Sequence, residues 1–165
     1  MFPFGHLVIA WLIALLIKKF SKIKISKLGW AALFFGALLP DVDYLFDILF
    51  DMNIHRMFTH SLVFVVFSFF VVYFILKQFN LENETFFFSL GVLAHLIGDL
   101  PFFPGILLFW PIGSWFSIFG IYNGLVMMFP PNVAFLMGQY YGLILDIVLG
   151  IAWMSYLFVK GKLSF

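Results

Sequence analysis

The sequence predicts an all-α protein, a polytopic membrane helical bundle of about five transmembrane helices with short interfacial helices. Hydrophobic residues make up 64% of the 165 residues and charged residues only 10%, whereas soluble chains carry about 25% charged residues. The mean hydropathy is +1.11. The apolar residues fall in long runs, and in lipid a helix satisfies its own backbone hydrogen bonds. We therefore expect one membrane-embedded domain over residues 1–165.

Five apolar runs predict the membrane helices, in the order 4–18, 28–40, 61–77, 85–100 and 133–159. No basic segment precedes the first run, so we expect it to be kept as a helix rather than cleaved as a signal peptide. A stretch rich in Pro, Gly and Trp follows the fourth run, from Pro101 to Asn132. Whether that stretch crosses the bilayer stays open.

The lysines predict the topology, because cytoplasmic loops carry an excess of cations. A lysine cluster at 18–27 joins the first two runs, Lys77 ends the third run, and Lys160 follows the last. These ends are therefore expected in the cytoplasm. The sequence then indicates an integral protein of the cell inner or plasma membrane whose polar residues face the non-cytoplasmic side.

Seven side chains that can bind a metal are expected at that non-cytoplasmic end: His6, Asp41, Asp43, His55, His60, His95 and Asp99. The helical rise places His6 about 18 Å from Lys18, and His60 about 26 Å from Lys77. The hydrocarbon core is about 30 Å thick. The cluster is therefore expected to be recessed, at or below the level of the lipid headgroups.

Two pairs of candidate ligands are associated with the second and fourth runs. His95 and Asp99 are four residues apart and share a helix face; they form either a metal-binding pair or a helix-stabilising one, and in lipid the functional alternative is favoured. Asp41 and Asp43 follow Pro40, which places them at a helix end. They could bind a metal or simply be solvated caps.

The stretch His55–Ser61 is the densest in polar residues. Its two histidines, five apart, cannot share one face of a regular helix, but a loop that runs into a helix start can aim both inward. Thr59 or Ser61 is expected to cap that helix. Arg56, the only guanidinium, could bind a phosphate or pair with an acid.

Three other acids are given structural roles. Asp47 and Asp51 are expected on the solvated face of a short interfacial helix. Asp146 lies midway along the last run, where an unpaired carboxylate is costly. It is expected to support the site or the structure rather than bind a metal, with Gln139, a tyrosine hydroxyl or a histidine as its partner.

Five motifs in order resemble the YdjM family, inner-membrane-associated proteins regarded as metal-dependent hydrolases. The resemblance covers residues 5 to about 111, and Met57 stands where the family commonly has Gly. The motifs are Gly5-His6, Leu39-Pro40-Asp41-Val42-Asp43, His55-Arg56-x-x-Thr59-His60-Ser61, His95-x-x-x-Asp99 and Gly105…Leu108-Phe109-Trp110-Pro111. The resemblance implies that the seven side chains above are the metal-site positions. Asp41, Asp43, His60 and Arg56 are the candidate catalytic residues.

A more distant similarity is to zinc-dependent phospholipase C and the related single-strand nucleases, which act on phosphodiesters at a multizinc site. Their motif His-aromatic-x-Gly-Asp is similar to the segment His95-Leu-Ile-Gly98-Asp99. The proline-preceded histidine that follows in those enzymes is missing here, because Gly105 follows Pro104. The number of metals and the substrate analogy therefore stay open.

The sequence favours a metal-dependent hydrolase acting on a phosphoester or phosphodiester of a lipid or lipid-linked substrate. Imidazole and carboxylate ligands suit Zn²⁺, or Mn²⁺ and Fe, rather than Ca²⁺, and seven ligands are enough for one, two or more ions. A metal acidifies its water near neutral pH, and an Asp or His not bound to it could be the base.

The alternative is a non-catalytic membrane protein, either a metal-ion transporter or a partner-binding module. Transport needs polar groups at several depths, yet only Asp146 lies deeper than the cluster. A net charge of +1 gives no reason to expect a nucleic-acid partner. The absence of cysteine excludes disulfides and thiolate ligands. The oligomeric state is not indicated.

Overall fold

The computed structural model describes residues 3–21, 23–52, 54–101, 105–113, 115–116 and 131–160, without the side chains of 131–139 and 141. Six α-helices account for most of these residues. In chain order they are α1 (Pro3–Ser21), α2 (Lys27–Leu38), α3 (Val42–Phe50), α4 (Leu62–Lys77), α5 (Glu84–Asp99) and α6 (Pro131–Val159). The all-α prediction is confirmed, and each predicted helix is present with small shifts of its ends.

Two 3₁₀ turns interrupt the helices close to the polar residues, Leu39–Asp41 after α2 and Phe58–His60 before α4. The first contains Pro40, whose missing N–H cannot continue an α-helical ladder. The second leads into Ser61, whose hydroxyl accepts a hydrogen bond from the Phe64 N–H at 3.1 Å. Ser61 is therefore the cap of α4 among the two predicted candidates.

Helices α2 and α5 form the centre of the bundle because glycines let their backbones approach closely. A Cβ placed on Gly36 would lie 2.1 Å from the carbonyl oxygen of Phe88, and one on Gly91 would lie 2.0 Å from that of Leu33. Neither position could carry a side chain without moving backbone. Buried Ala10 and Ala14 of α1 pack against this pair.

Helices α1 and α6 lie side by side and run in the same direction. Phe4 at the start of α1 packs at Gly150, while the ring of Trp11, two turns later, is 6.2 Å from Trp153 and 5.5 Å from Tyr156. Both helices therefore end at the same side of the bundle, near their lysines. The start of α1, which carries His6, lies beside the middle of α6.

The outer surface of the bundle is rich in exposed apolar side chains. Two helical segments within the described residues are long and apolar enough to cross a membrane, Pro3–Ser21 and Gly142–Val159. Helix α4 is apolar but shorter. Helices α2, α4 and α5 extend about 18–24 Å, less than a hydrocarbon core of about 30 Å. The bundle of about five spans therefore stays a prediction. Most of 101–132 lies outside the described residues.

Candidate metal centre

Four side chains from three elements meet at one point. The Nε2 atom of His60 lies 3.0 Å from Nε2 of His95, 3.5 Å from Oδ1 of Asp41 and 3.3 Å from Oδ2 of Asp99. The Nε2 atom of His95 lies 3.5 Å and 3.6 Å from the same two oxygens. These donors come from the two 3₁₀ turns and from α5, so the turns bring them to the end of α5.

His6 joins them from the first turn of α1. Its Nε2 atom lies 3.5 Å from Oδ1 of Asp99 and 3.8 Å from Oδ2 of Asp41. Its ring stacks on that of His95, with the centroids 3.7 Å apart. A Cβ on Gly98 would lie 2.9 Å from Nδ1 of His6. The missing side chain of Gly98 is therefore what allows α1 to bring its imidazole against α5.

The centre is buried except for the side chain of Asp41. His6, His60, His95 and Asp99 are fully buried, whereas the side chain of Asp41 is 25% exposed. Burying several ionisable groups costs free energy unless they are paired or bind a metal. The burial therefore favours a role for these groups together rather than as separate solvated side chains.

Hydrogen bonds on the far side of two imidazoles aim them at the centre. Nδ1 of His95 donates to the carbonyl oxygen of Ala37 at 2.7 Å, because a carbonyl can only accept. In the neutral ring, Nε2 then carries the lone pair. Nδ1 of His60 is 2.9 Å from the hydroxyl of Thr59 and 3.4 Å from Asp43. Partners of this kind fix the orientation of metal-binding histidines.

Asp43 lies on the side of His60 that faces away from the centre, and it accepts hydrogen bonds from several donors. Nδ1 of His55 is 2.7 Å from Oδ1, while the Arg56 N–H, at 3.2 Å, and the Thr59 hydroxyl donate to Oδ2. Burial acts to raise the pKa of Asp43, but the bonds from His55, His60 and Thr59 outweigh it and hold the pKa well below its usual range. Asp43 is therefore an ionised anchor for the 55–60 segment.

His60 lies among three carboxylates. Burial acts to lower the pKa of His60, but the carboxylates of Asp41, Asp43 and Asp99 outweigh it and raise this pKa to about 10. Burial likewise acts to raise the pKa of Asp41, and His60 holds it below its usual value. A positive charge at this point, whether a proton or a metal ion, is strongly favoured.

Arg56 lies at the edge of the same cluster. Its guanidinium Nη2 is 3.7 Å from Oδ1 of Asp99, and its side chain is 14% exposed. The backbone of Arg56 is left-handed, with a φ of 66°, and its carbonyl accepts from the Leu107 N–H. The geometry bears out the pairing with an acid, one of the two roles predicted for this guanidinium.

The prediction for Asp47 was wrong, whereas Asp51 is exposed as expected. Asp47 accepts hydrogen bonds from the backbone N–H groups of Ile54, at 2.6 Å, and His55, at 3.0 Å. One turn apart on α3, Asp43 and Asp47 therefore hold the 54–59 segment together. The spacing of four residues was interpreted as a solvated acidic stripe. The same spacing places both acids on one face of α3, from which they hold the loop.

Asp146 has the structural role that was expected, but its partners are backbone groups. Its carboxylate accepts from the N–H of Gly5 at 2.5 Å and of Phe4 at 3.2 Å. These belong to the first turn of α1, whose N–H groups have no partner within the helix. The carboxylate of α6 thus caps α1 next to His6. The side chain of Gln139 lies outside the described residues.

The donor set fits a divalent ion. Two groups of side chains have ligand atoms within 4.8 Å of one another: His6, Asp41, His95 and Asp99, and Asp41, His55 and His60. The donor separations of 3.0–3.6 Å around His60 and His95 match the edges of a tetrahedral zinc site, which are about 3.4 Å for bonds near 2.1 Å. Asp43 is the one predicted ligand outside both groups.

Two features of the site carry no recognisable signal in the sequence. The carbonyl of Ala37 could belong to any residue, and it is available because α2 ends one residue later, which leaves its last carbonyls without helical partners. Thr59 was expected as a possible helix cap, and its bond to Asp43 depends on the fold of α3. Only the tertiary structure identifies either contact.

Comparison with known proteins identifies a family. A family model described as YdjM inner membrane protein matches residues 1–163 of the chain, well beyond the segment 5–111 that carries the sequence motifs. No curated protein and no solved structure gives a significant match. The similarity to phospholipase C stays a prediction.

Proposed function

The chain belongs to the YdjM family of inner membrane proteins, and from this premise we propose that it is a membrane-embedded metal-dependent hydrolase. The proposed substrate is a phosphoester or phosphodiester of a lipid or lipid-linked molecule. The observation that carries the proposal is the buried convergence of three imidazoles and two carboxylates, with a guanidinium beside them: His6, His60, His95, Asp41, Asp99 and Arg56.

His60, His95, Asp41 and Asp99 are the residues proposed to hold a metal, together with His6. When bound, a divalent ion supplies Lewis acidity, which acidifies water and offsets negative charge on a phosphoryl oxygen. Imidazole and carboxylate ligands suit Zn²⁺, Mn²⁺ or Fe.

His55 is the proposed base, a different role from the ligand role that the family resemblance implied. Its Nδ1 is bonded to Asp43 at 2.7 Å, which orients the ring, and its side chain is 25% exposed. A histidine held by a carboxylate on one nitrogen can accept a proton on the other. The ring of His55 packs edge-on against that of His60, which belongs to the centre. The proton that His55 accepts would therefore be that of a water molecule at the centre.

Arg56 is the proposed phosphate-binding residue. Its guanidinium lies beside Asp99, and its side chain is 14% exposed. A guanidinium can bind a phosphate with two parallel hydrogen bonds. In this arrangement Arg56 would hold the phosphoryl group while Asp43 fixes the backbone of the loop that carries it.

A substrate from the lipid phase is favoured by the apolar surface next to the site. Helix α3 turns Asp43 and Asp47 inward and exposes its other side chains: Val42, Tyr44, Leu45, Phe46, Ile48, Leu49 and Phe50. Such a helix lies in the interface with its apolar face among acyl chains. Lipid headgroups would then be close to the candidate centre. The lysine distribution orients this end to the non-cytoplasmic side.

The test is hydrolysis by detergent-purified protein of bis(p-nitrophenyl) phosphate, p-nitrophenyl phosphate and phosphatidic acid in mixed micelles. We expect turnover that is lost with EDTA, restored by Zn²⁺ or Mn²⁺, and reduced to background in His60→Ala. Asp51→Asn is the matched control, because this exposed acid lies at the same end of the protein outside the cluster.

Tightly held metal without turnover on any of these esters would contradict the hydrolase and favour a non-catalytic protein. A metal transporter would then be tested by ion flux into liposomes. The engagement of Asp146 with backbone amides of α1 gives it a capping role instead of a place in an ion path.

A further inference from the structure

We propose that the centre binds two cations and that Asp41 and Asp99 each bridge them. The inference deepens the proposed function and rests on its metal binding, not on hydrolysis. It assigns His60 and His95 to one cation and His6 to the other. The argument depends on the planes of the three rings and on which carboxylate oxygen each ring faces.

The first step concerns the rings of His6 and His95. The lone pair of an imidazole nitrogen lies in the ring plane, so a bound ion lies close to that plane. These two rings are stacked, with planes inclined by 14° and centroids 3.7 Å apart. An ion in the plane of one ring therefore lies well outside the plane of the other. Distance alone would group the two residues, but they cannot share one ion with good geometry.

His60 and His95, in contrast, are suited to a shared ion. Their ring planes are inclined by 68°, and their Nε2 atoms are 3.0 Å apart. Planes at this angle intersect close to both nitrogens. The hydrogen bond from His95 to Ala37 and the contacts of His60 with Thr59 lie on the other nitrogen of each ring. Both Nε2 atoms are thus directed at one point.

The two oxygens of each carboxylate also face different histidines. Oδ1 of Asp41 is the oxygen nearest to His60 and His95, whereas Oδ2 is nearest to His6. Oδ2 of Asp99 is nearest to His60 and His95, whereas Oδ1 is nearest to His6. Each carboxylate therefore offers one oxygen to each histidine set. This is the arrangement expected of carboxylates that bridge two metal ions.

The two positions differ in how many protein donors they have. The first has four, from His60, His95, Asp41 and Asp99, which completes a tetrahedral shell. Among the residues that the structure describes, the second has three, from His6 and the remaining oxygens of Asp41 and Asp99. Structural zinc sites are closed, whereas catalytic ones keep a position open. The second cation is therefore the one with room for substrate, and Arg56 lies 3.7 Å from its Asp99 oxygen.

Metal content and magnetic coupling of the Mn²⁺-loaded protein in detergent test this inference. We expect two Mn²⁺ per chain by elemental analysis and an exchange-coupled signal by electron paramagnetic resonance. His6→Gln should bind one Mn²⁺ per chain with an uncoupled signal. Asp51→Asn, the matched control, should keep two coupled ions.

One Mn²⁺ per chain in the wild type, or two that are not coupled, would overturn the bridged pair and leave a mononuclear hydrolase intact. Two ions retained in His6→Gln would overturn the assignment of His6. No bound metal at all would overturn the metal binding in the proposed function as well. The coupling measurement on the wild type does not depend on the folding of any variant.

Discussion

The missing side chain of Gly98 decides where His6 can lie. A Cβ at this position would be 2.9 Å from Nδ1 of His6 and 3.1 Å from a side-chain carbon of Ile9. Both contacts are closer than ordinary van der Waals separation, so a methyl group must displace the start of α1. The position of a metal-binding ring therefore depends on a residue that contributes no chemistry.

Gly98→Ala is expected to weaken metal binding by about 10-fold or more, the range found when the support of a ligand is lost. The measurement is competition with a chelator for Zn²⁺. Ile97→Ala, which changes an exposed neighbour on α5, should bind Zn²⁺ like the wild type. Equal affinity in both variants would show that His6 does not contribute to binding.

Asp43 is a second single residue that affects metal binding. It acts through the residues that it holds in place and is not itself part of the centre. In Asp43→Asn, one acceptor oxygen becomes an NH₂ group facing His55, Thr59 or the Arg56 N–H. We expect Zn²⁺ affinity to fall about 10–100-fold, as for other partners of metal-binding histidines. The same chelator competition measures it, with Asp51→Asn as control. An unchanged affinity would contradict this positioning role.

At the scale of elements, Asp146 connects two helices that are far apart in sequence. Its carboxylate accepts from the N–H groups of Phe4 and Gly5 in a buried setting. The start of α1 therefore has a cap from α6 instead of from its own residues. This contact fixes the end of α1 that carries His6.

Asp146→Ala leaves the buried N–H of Gly5 and the part-buried N–H of Phe4 without this acceptor and is expected to cost about 1–3 kcal/mol. The expected result is a lower midpoint of thermal unfolding in detergent together with weaker Zn²⁺ binding. Asp146→Asn keeps one acceptor oxygen and should lose less. Leu145→Ala, at the neighbouring exposed position, is the control. Equal unfolding midpoints in all three variants would exclude the cap.

For the whole molecule, the parallel course of α1 and α6 places Lys18 and Lys160 at one end, and the candidate centre lies toward the other. The lysine distribution predicts that the first end faces the cytoplasm. Because the chain contains no cysteine, single cysteines can report this orientation without background.

A membrane-impermeant maleimide added to intact spheroplasts is expected to label Asp51→Cys, on an exposed residue that directly follows α3. Lys19→Cys, on an exposed residue at the end of α1, should be labelled only after the membrane is opened. The reverse labelling pattern would place the candidate site on the cytoplasmic side and would contradict the proposed orientation. Labelling of Lys19→Cys after opening is the control for reactivity.

The sequence alone determined the helical class, the approximate positions of the helices and six of the side chains that meet at the candidate centre. Uninterrupted apolar runs leave the backbone no alternative to a helix in lipid, and rare polar residues in such runs stand out. The motifs from Gly5-His6 to Trp110-Pro111 also indicated the family, which the match over residues 1–163 confirms.

The tertiary structure decided what each of these residues faces. Asp43 and Asp47 are four residues apart in the sequence, and both accept hydrogen bonds from the backbone of a loop instead of facing solvent. The stacking of His6 on His95 depends on Gly98, and the cap on α1 comes from a residue 141 positions away. Spacing along a chain reports which face of its own helix a residue occupies, but not which partner another helix brings to that face. Those partners are set by the packing of elements distant in sequence.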